Sequence, residues 1–175
     1  MTLVFGGTFD PPHVGHVALV EGAKRHFGVD RVLVLVVADP GHREVTASED
    51  ERLVLARAAF PAEDVELDDH PRTIDMLRAR QLDDPVLLIG ADEYVDFPGW
   101  KEPGAILELA RVAVAARPGY ELPEGVSSFD MTPTAVSSTE VRRRVAAGKP
   151  IDGLVPAAVA AEIERLGLYR DYTPG

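Results

Sequence analysis

Two histidines near the start of the chain, His13 and His16, stand in a run whose residue types suit the binding of a large anion. Residues 6–16 read Gly-Gly-Thr-Phe-Asp-Pro-Pro-His-Val-Gly-His. A short apolar stretch precedes this run, and residues 17–27 carry apolar side chains at helical spacing, so the run joins a buried strand to a helix. Glycines let the backbone approach a ligand closely, and a helix start offers free N–H groups and the positive end of a dipole. We therefore predict a phosphate-handling site without an obvious nucleophile.

The same two histidines could instead bind a zinc ion. Such a site needs a third and usually a fourth ligand, and His42 is the candidate that the sequence offers. We prefer the phosphate interpretation because it also explains the flanking glycines and the helix start, and we predict no metal ligands in the chain. A histidine at this position can donate a hydrogen bond to a phosphate oxygen or place positive charge against developing negative charge.

A second candidate anion site lies at residues 137–144, which read Ser-Ser-Thr-Glu-Val-Arg-Arg-Arg. Ser137 and Glu140 match a capping box, so a helix begins here. One interpretation is a well-capped amphipathic helix whose basic face is solvated. The other is a second helix start that binds an anion, with Arg142 one turn inside the helix. The two helix starts together would suit a triphosphate that spans both.

Two features between these sites could contact the rest of a nucleotide. Gly90 and Asp92 follow a buried strand, where an acidic residue often binds ribose hydroxyls, although glycine and aspartate also serve turns. Trp100 is the single tryptophan of the chain and lies in a loop. Its ring can stack on a planar ligand, or it can be partly buried packing.

Buried strands alternate with helical patterns along the whole chain. Strands are predicted from apolar runs at 3–5, 31–38, 65–67, 86–89 and 112–116, and near Phe129 in a loop-like stretch over 119–134. Helices are predicted at 17–27, from a capping box at Thr46 and Glu49 to about Phe60, at 73–80, at 103–110, from 137 to Gly148, and from a first turn containing Pro156 to about Leu166. This alternation predicts an α/β fold, a doubly wound, Rossmann-like parallel sheet with helices on both faces, in a single domain over residues 1–175. Ligands of such sheets bind beyond the carboxyl ends of the strands, where the candidate motifs all fall.

The composition excludes several classes of protein. The net charge of −11 argues against non-specific binding of nucleic acid, which needs a basic face. The chain has no cysteine, so disulfides and thiolate catalysis are excluded. No run approaches the roughly 18 apolar residues of a membrane span, and no basic and apolar leader opens the chain. We therefore expect a cytoplasmic protein with no nucleic-acid or membrane partner.

The first run resembles the H-x-G-H signature of the nucleotidyltransferase superfamily, in the form found in bacterial nicotinate mononucleotide adenylyltransferases. Other segments are similar to that family's later motifs, in the same order: Thr73-Ile74-Asp75-x-Leu77, Gly90-Ala91-Asp92 followed by Trp100, and Ser137-x-Thr139-x-x-Arg142. The resemblance implies adenylyl transfer from ATP to nicotinate mononucleotide, which yields deamido-NAD and pyrophosphate in NAD biosynthesis. It also implies assistance by Mg²⁺ held by substrate phosphates and water, without a covalent enzyme intermediate.

The resemblance assigns roles by position. His16 would contact the α-phosphate as charge develops and His13 would hold the ATP phosphates, so these two are the implied catalytic residues. The implied ATP-binding residues are Gly6, Thr8, Phe9, His13, His16, Gly90, Asp92, Ser137, Thr139 and Arg142. The implied mononucleotide-binding residues are Gly7, Thr8, His42, Arg43, Thr73 and Trp100. The helical part from about 137 to 170 would close the ATP site.

Two positions depart from the family pattern. Pro-Pro-His-Lys usually follows the second strand, and this chain has Pro-Gly-His-Arg at 40–43, which keeps the charge at Arg43. An aromatic residue usually precedes the threonine near the pyridine pocket, and here it is Arg72. Arg72 could favour the nicotinate carboxylate or could face solvent, so the choice between nicotinate and nicotinamide mononucleotide stays open.

Related and unrelated functions remain as alternatives. Phosphopantetheine adenylyltransferases resemble this fold but typically carry threonine at the position of His13. Glycerol-phosphate cytidylyltransferases share H-x-G-H but lack the segment around Trp100. A nucleotide sensor without catalysis is the alternative from another class. The sequence also leaves open whether the chain forms a homo-oligomer.

Overall fold

Six parallel strands form the centre of the computed structural model, which describes residues 1–41, 44–116, 126–132 and 134–175. The strands are β1 Thr2–Gly7, β2 Arg31–Val37, β3 Asp64–Asp68, β4 Pro85–Ile89, β5 Arg111–Ala116 and β6 Val126–Asp130. Their order in the sheet is β3-β2-β1-β4-β5-β6, with Val4 of β1 in register with Leu33 on one side and Leu87 on the other. The order reverses between β1 and β4, which is where such sheets bind ligands. The predicted doubly wound parallel sheet is confirmed.

Helices cover both faces of this sheet. They are α1 Val14–Phe27, α2 Glu49–Ala59, α3 Thr73–Arg80, α4 Ala91–Asp96, α5 Pro103–Leu109, α6 Ser138–Ala146 and α7 Ala157–Leu166, with a 3₁₀ turn at Phe97–Gly99. Leu3 and Phe5 of β1 pack with α1, α2 and α7, whereas Val4 between them packs with α3 and α5. Alternate residues of the central strands therefore enter two separate cores, which is why these strands are apolar on both faces.

The start of α2 corrects one sequence prediction. The capping box is not Thr46 with Glu49 but Ser48 with Glu51, whose backbone and side-chain groups bond reciprocally at 3.3 and 2.8 Å. The Thr46 N–H instead donates to a carboxylate oxygen of Asp10 at 2.7 Å. A tertiary contact thus holds Thr46 outside the helix, and the helix begins at Glu49.

Helix α4 was not predicted at all. The Glu93 carboxylate accepts from the Gly90 N–H at 3.0 Å, so glutamate satisfies a free donor at the helix start. Gly90 has no side chain to complete the usual serine or threonine signature, and the helix has only six residues. Both facts make its start hard to see in the sequence.

The last two helices differ from prediction in detail. Ser137 does cap α6, accepting from the Glu140 N–H at 3.2 Å, but the Glu140 side chain binds Arg144 instead of returning to the cap. Pro156 occupies the cap position before α7, one residue ahead of its first turn. Much of the predicted loop at 119–134 lies outside the described residues, and its predicted strand is β6. None of the helices in the described parts of the chain is long and apolar enough to cross a lipid bilayer.

Candidate active site

Two adjoining clefts open at the carboxyl ends of the strands, where the sheet order reverses. One has a volume of about 680 Å³ and the other about 620 Å³. We call the first the histidine cleft, after His13 and His16, and the second the tryptophan cleft, after Trp100. Both are lined by residues 6–8, so the segment after β1 separates two ligand-sized spaces and borders each of them.

The two histidines are locked by the backbone at the start of α1. His13 occupies the cap position, and its Nδ1 accepts from the Gly15 N–H at 3.1 Å. The His16 Nδ1 accepts in turn from the His13 N–H at 3.1 Å. Their rings stack with centroids 3.8 Å apart. Because each Nδ1 accepts, the proton of each neutral ring is on Nε2. The helix start therefore presents two Nε2–H donors side by side.

The protonation state of this pair follows from its burial. Burial lowers the pKa of His13 to about 4. Burial, and then the neighbouring His13, lower the pKa of His16 to about 3. Both rings are therefore neutral near pH 7, and of the two roles foreseen for them the free protein is prepared for hydrogen-bond donation.

We expect neither ring to titrate between about pH 8 and about pH 5. In the unfolded chain each ring protonates near its ordinary pKa of 6.5, so the unfolded state binds more protons below that value. The resulting stabilisation is complete above pH 6.5 and is lost as the pH falls toward the folded-state pKa values of about 4 and about 3. NMR shifts of the two rings across this pH range check that neither ring titrates. Urea unfolding of wild type and His16→Gln at several pH values checks the loss of stability in acid, because the variant should lose part of this pH dependence. Titration of both rings near pH 6.5 would contradict both statements.

The small residues of the run have different reasons to be small. A Cβ on Gly7 would lie 2.7 Å from the Phe9 ring, and a Cβ on Gly15 would lie 2.5 Å from Thr134 Oγ1. A Cβ on Gly6 would meet no atom within 4 Å, because this residue faces open space in both clefts. Gly7 and Gly15 are thus required by packing, while Gly6 leaves room for a ligand.

Phe9 was predicted to bind ATP, and its ring lies in the core. It is 2% exposed and packs 5.2 Å from the His16 ring and 5.6 Å from the Phe5 ring, centroid to centroid. Its backbone has a φ of 53° and borders the histidine cleft. A contact of Phe9 with a nucleotide would therefore be made by its backbone, and the ring supports His16 from behind.

Arg142 of α6 faces the histidine cleft beside the loop after β1. Its Nη1 donates to the Asp10 carbonyl oxygen at 2.7 Å, and its Nη2 lies 3.3 Å from Thr139 Oγ1. The Ser138 hydroxyl donates to the Pro11 carbonyl oxygen at 2.8 Å. Helix α6 is thus tied to the loop between β1 and α1, residues 8–13, which we call the histidine loop. Thr139 and Arg142 both line the cleft. Ser137 is exposed, its hydroxyl caps the helix, and Ser138 lines the cleft in its place.

Acidic side chains also line the histidine cleft. Asp92 and Glu44 are exposed there, and Gly90 lies beside Asp92 at the start of α4. Within the described residues, the group of His, Asp and Glu side chains close enough to hold a metal ion is at 68–70, which borders the tryptophan cleft. His42, the third ligand considered for a zinc site, lies outside the described residues, as does Arg43.

The tryptophan cleft holds the other predicted mononucleotide residues. Thr73 is the first residue of α3, and Arg72 precedes it with its guanidinium 2.6 Å from the Pro71 carbonyl oxygen. Trp100 packs on Phe97, with ring centroids 5.4 Å apart. Trp100, Arg72 and Thr73 all line the cleft. Lys101, which follows Trp100, donates from its Nζ to the Asp75 carboxylate of α3 at 3.0 Å.

Two residues that support the site were missed by the sequence interpretation. Asp10 is 3% exposed, and its carboxylate accepts from the backbone N–H groups of Thr46 and Ala47 at 2.7 and 3.1 Å. Arg52 is 1% exposed and donates to the carbonyl oxygens of Thr8 and Ala38 at 2.9 and 2.8 Å. It also donates to those of Val37 and Ala47, at 2.7 and 3.3 Å.

A signal for Arg52 was present in the sequence. It stands at helical spacing with the apolar residues Leu55, Ala56 and Ala59, which form the buried face of α2. An arginine on that face has to be buried and must find carbonyl or carboxylate acceptors. Its guanidinium links Thr8, directly after β1, to Val37 at the end of β2.

The fold and the site together define a class of protein. The doubly wound parallel sheet has two clefts at its switch point, and one of them presents paired Nε2–H donors and an arginine. These are the features of a nucleotide-binding α/β protein equipped to handle phosphate.

The cytidylyltransferase-like family model matches residues 4–144. A probable nicotinate-nucleotide adenylyltransferase from Thermus thermophilus is 38% identical over 95% of this chain and 98% of that protein. One from a Roseiflexus species is 36% identical over 95% and 96%. The chain belongs to the cytidylyltransferase-like family, within its nicotinate-nucleotide adenylyltransferases.

Solved structures share the architecture. The nicotinic acid mononucleotide adenylyltransferase of Plasmodium falciparum complexed with NaAD has a TM-score of 0.79 at 13% identity, with 98% of each chain covered. A putative nicotinate-nucleotide adenylyltransferase from Vibrio parahaemolyticus has a TM-score of 0.70 at 20% identity, with 98% of this chain and 96% of that chain covered. At these identities the likeness shows the fold, which is the α/β, Rossmann-like fold predicted from the sequence.

Proposed function

We propose that this protein transfers the adenylyl group of ATP to nicotinate mononucleotide, forming deamido-NAD and pyrophosphate. The observation that carries the proposal is the pair of clefts that meet at residues 6–8, with His13 and His16 facing one of them. A reaction between two phosphorylated substrates needs two such spaces that share one wall. Membership of the nicotinate-nucleotide adenylyltransferases supports this substrate pair.

In this proposal ATP occupies the histidine cleft. An oxygen of the mononucleotide phosphate attacks the α-phosphorus, the bond from that phosphorus to the leaving oxygen breaks, and pyrophosphate departs. The Nε2–H groups of His16 and His13 donate to phosphate oxygens as negative charge develops, and Arg142 supplies the fixed positive charge. Catalysis then rests on holding two anions in line, without a covalent enzyme intermediate.

The remaining predicted ATP contacts are also part of the proposal. Gly6, Thr8 and the Phe9 backbone would face the phosphates, with Thr139 at the start of α6. Gly90 and Asp92 would hold the adenosine. The helical part from about 137 to 170 closes this side of the cleft. We expect Mg²⁺ to arrive with the triphosphate and to stabilise its charge, coordinated by phosphate and water oxygens.

The mononucleotide would occupy the tryptophan cleft. Gly7 and Thr8 would face its phosphate, together with His42 and Arg43, and Thr73 and Trp100 would lie beside the pyridine ring. These assignments are supported by the position of the described residues along this cleft. Arg72 also borders this space, where a guanidinium favours a substrate that carries a carboxylate.

The decisive experiment is pyrophosphate release with a panel of acceptors. We expect turnover of ATP with nicotinate mononucleotide, with deamido-NAD identified by mass spectrometry. Nicotinamide mononucleotide and phosphopantetheine serve as alternative acceptors of ATP, and glycerol 3-phosphate with CTP tests the cytidylyl reaction. Absence of turnover with both pyridine mononucleotides would refute the proposal. Binding of ATP with no turnover of any acceptor would indicate a sensor.

Trp100 offers a direct test of the mononucleotide side. As it is the single tryptophan, all indole fluorescence comes from the wall of the tryptophan cleft. We expect nicotinate mononucleotide to change this fluorescence at saturating concentration and ATP alone to change it little. Trp100→Phe should raise KM for the mononucleotide by about 2- to 10-fold, the range of an aromatic stacking contact, and leave KM for ATP near its wild-type value. A fluorescence response to ATP alone would contradict the assignment.

A further inference from the structure

The C-terminal turn, residues 167–172, contacts the two phosphate-binding elements of the histidine cleft at once. We propose that Tyr169 and Tyr172 of this turn are positioning residues for adenylyl transfer, holding the loop after β1 and Arg142 in a fixed relation. The inference rests on the proposed function. The turn lies outside residues 4–144, the part that matches the cytidylyltransferase-like model.

Tyr169 reaches the histidine loop through Asp10. Its hydroxyl donates to the Asp10 carboxylate at 2.8 Å, across 159 positions of sequence, and both residues are buried. Burial, and then the charge of Asp10, raise the pKa of the Tyr169 hydroxyl well above its usual range, so it remains a donor. The same carboxylate holds the Thr46 and Ala47 N–H groups. Asp10, three residues before His13, is thus clamped from two sides.

Tyr172 reaches Arg142. Its hydroxyl lies 3.3 Å from Arg142 Nη2, and the guanidinium carbon lies 4.7 Å from the centre of the tyrosine ring. Arg142 Nη1 donates to the Asp10 carbonyl oxygen at 2.7 Å. The contacts therefore close a circuit that runs from the turn to Asp10, from Asp10 to Arg142, and from Arg142 back to the turn.

This circuit fixes the conformation of Arg142 and the backbone of the histidine loop, on which the proposed catalysis depends. An arginine has many rotamers, and a ring face against its plane together with a bond to each Nη selects one of them. A buried carboxylate that loses a donor shifts toward other partners, and the backbone of the histidine loop shifts with it. Small misplacements of positioned groups lower the rate of a step that depends on alignment, by up to about 10²-fold.

The test compares Tyr169→Phe and Tyr172→Leu with the control Ile163→Val. The first removes one hydroxyl, and the second removes both contacts of the less buried tyrosine, so that one informative variant remains if the other folds poorly. Ile163 is buried in α7 and belongs to the apolar core that also contains Tyr169, so its replacement loosens the same region. It removes none of the hydrogen bonds of the circuit. Steady-state kcat and KM for each substrate are measured well below the melting temperature, beside the melting temperature itself.

We expect both tyrosine variants to lower kcat/KM for ATP by about 5- to 30-fold and to change KM for nicotinate mononucleotide by less than about 2-fold. Ile163→Val should lower the melting temperature and leave kcat/KM for ATP near wild type. An equal loss of kcat/KM in Ile163→Val, or no loss in either tyrosine variant, overturns the inference. An inactive wild-type protein overturns the proposed function instead, so the two failures are distinct.

Discussion

Replacing His16 with glutamine should lower kcat for adenylyl transfer by about 10²-fold or more, with little change in KM. The Nε2–H of His16 is one of two such donors among the residues that line the histidine cleft. We propose that it bonds to the phosphate group that becomes more negative in the transition state. Glutamine is chosen because it is the residue that ordinarily completes a capping box at this position. Its side-chain oxygen can still accept from the His13 N–H, so the start of α1 is kept. Its amide N–H groups lie on a flexible chain and no longer hold a donor at the position that the imidazole ring fixes.

The matched control is His26→Gln, at the exposed end of the same helix. Its kcat and KM should equal those of wild type. Steady-state kinetics with both substrates varied show whether His16→Gln changes kcat or KM. If His16→Gln changes only KM, His16 binds the ground state and the transition state equally, and its catalytic role is wrong.

Replacing Arg52 with methionine should lower the free energy of unfolding by about 4 kcal/mol. Methionine fills much of the space but donates nothing. The carbonyl oxygens of Thr8, Val37, Ala38 and Ala47, which lie in buried or partly buried hydrogen bonds, lose their shared guanidinium donor. Each buried acceptor without a donor costs about 1–3 kcal/mol, and partial relaxation keeps the sum below four full penalties.

Urea unfolding at constant pH measures this effect, and Arg57→Met on the exposed face of α2 is the matched control. An exposed substitution of this kind should change stability by less than about 0.5 kcal/mol. Because Arg52 fastens the ends of β1 and β2, the surviving folded fraction of Arg52→Met should also bind ATP more weakly. A variant as stable as the control would show that water satisfies these carbonyl groups.

Local patterns in the sequence were sufficient for the parallel sheet and most of its helices. The strand at 31–37 is apolar on both faces, as a strand covered on both sides must be. Helix α3 begins and ends at the predicted residues, Thr73 and Arg80. The run at 6–16 does join a strand to a helix, as predicted, although β1 extends to Gly7 and α1 begins at Val14, three residues before the predicted start. The hydrogen bonds of His13 and His16 at the helix start are local, which is why a short motif is enough to show this junction.

The register of α2 shows where local patterns fail. Thr46 and Glu49 have the spacing of a capping box, yet Asp10 takes the Thr46 N–H. Asp10 is 36 positions away in sequence, so the residues around Thr46 give no sign of this contact. Helix α4 was missed for a different reason, since its cap residue, Gly90, has no side chain of the kind that marks a helix start in the sequence.

By itself the sequence determined the fold class, the histidine run and its family, because strand periodicity, helix periodicity and a short motif are properties of neighbouring residues. The tertiary structure alone decided the protonation state of those histidines and the contacts that hold the loop before them. Burial makes His13 and His16 neutral donors. Contacts across 44 and 159 positions bring Arg52 and Tyr169 beneath the same loop. Burial and long-range hydrogen bonds depend on how separate segments pack, and only the folded chain specifies that.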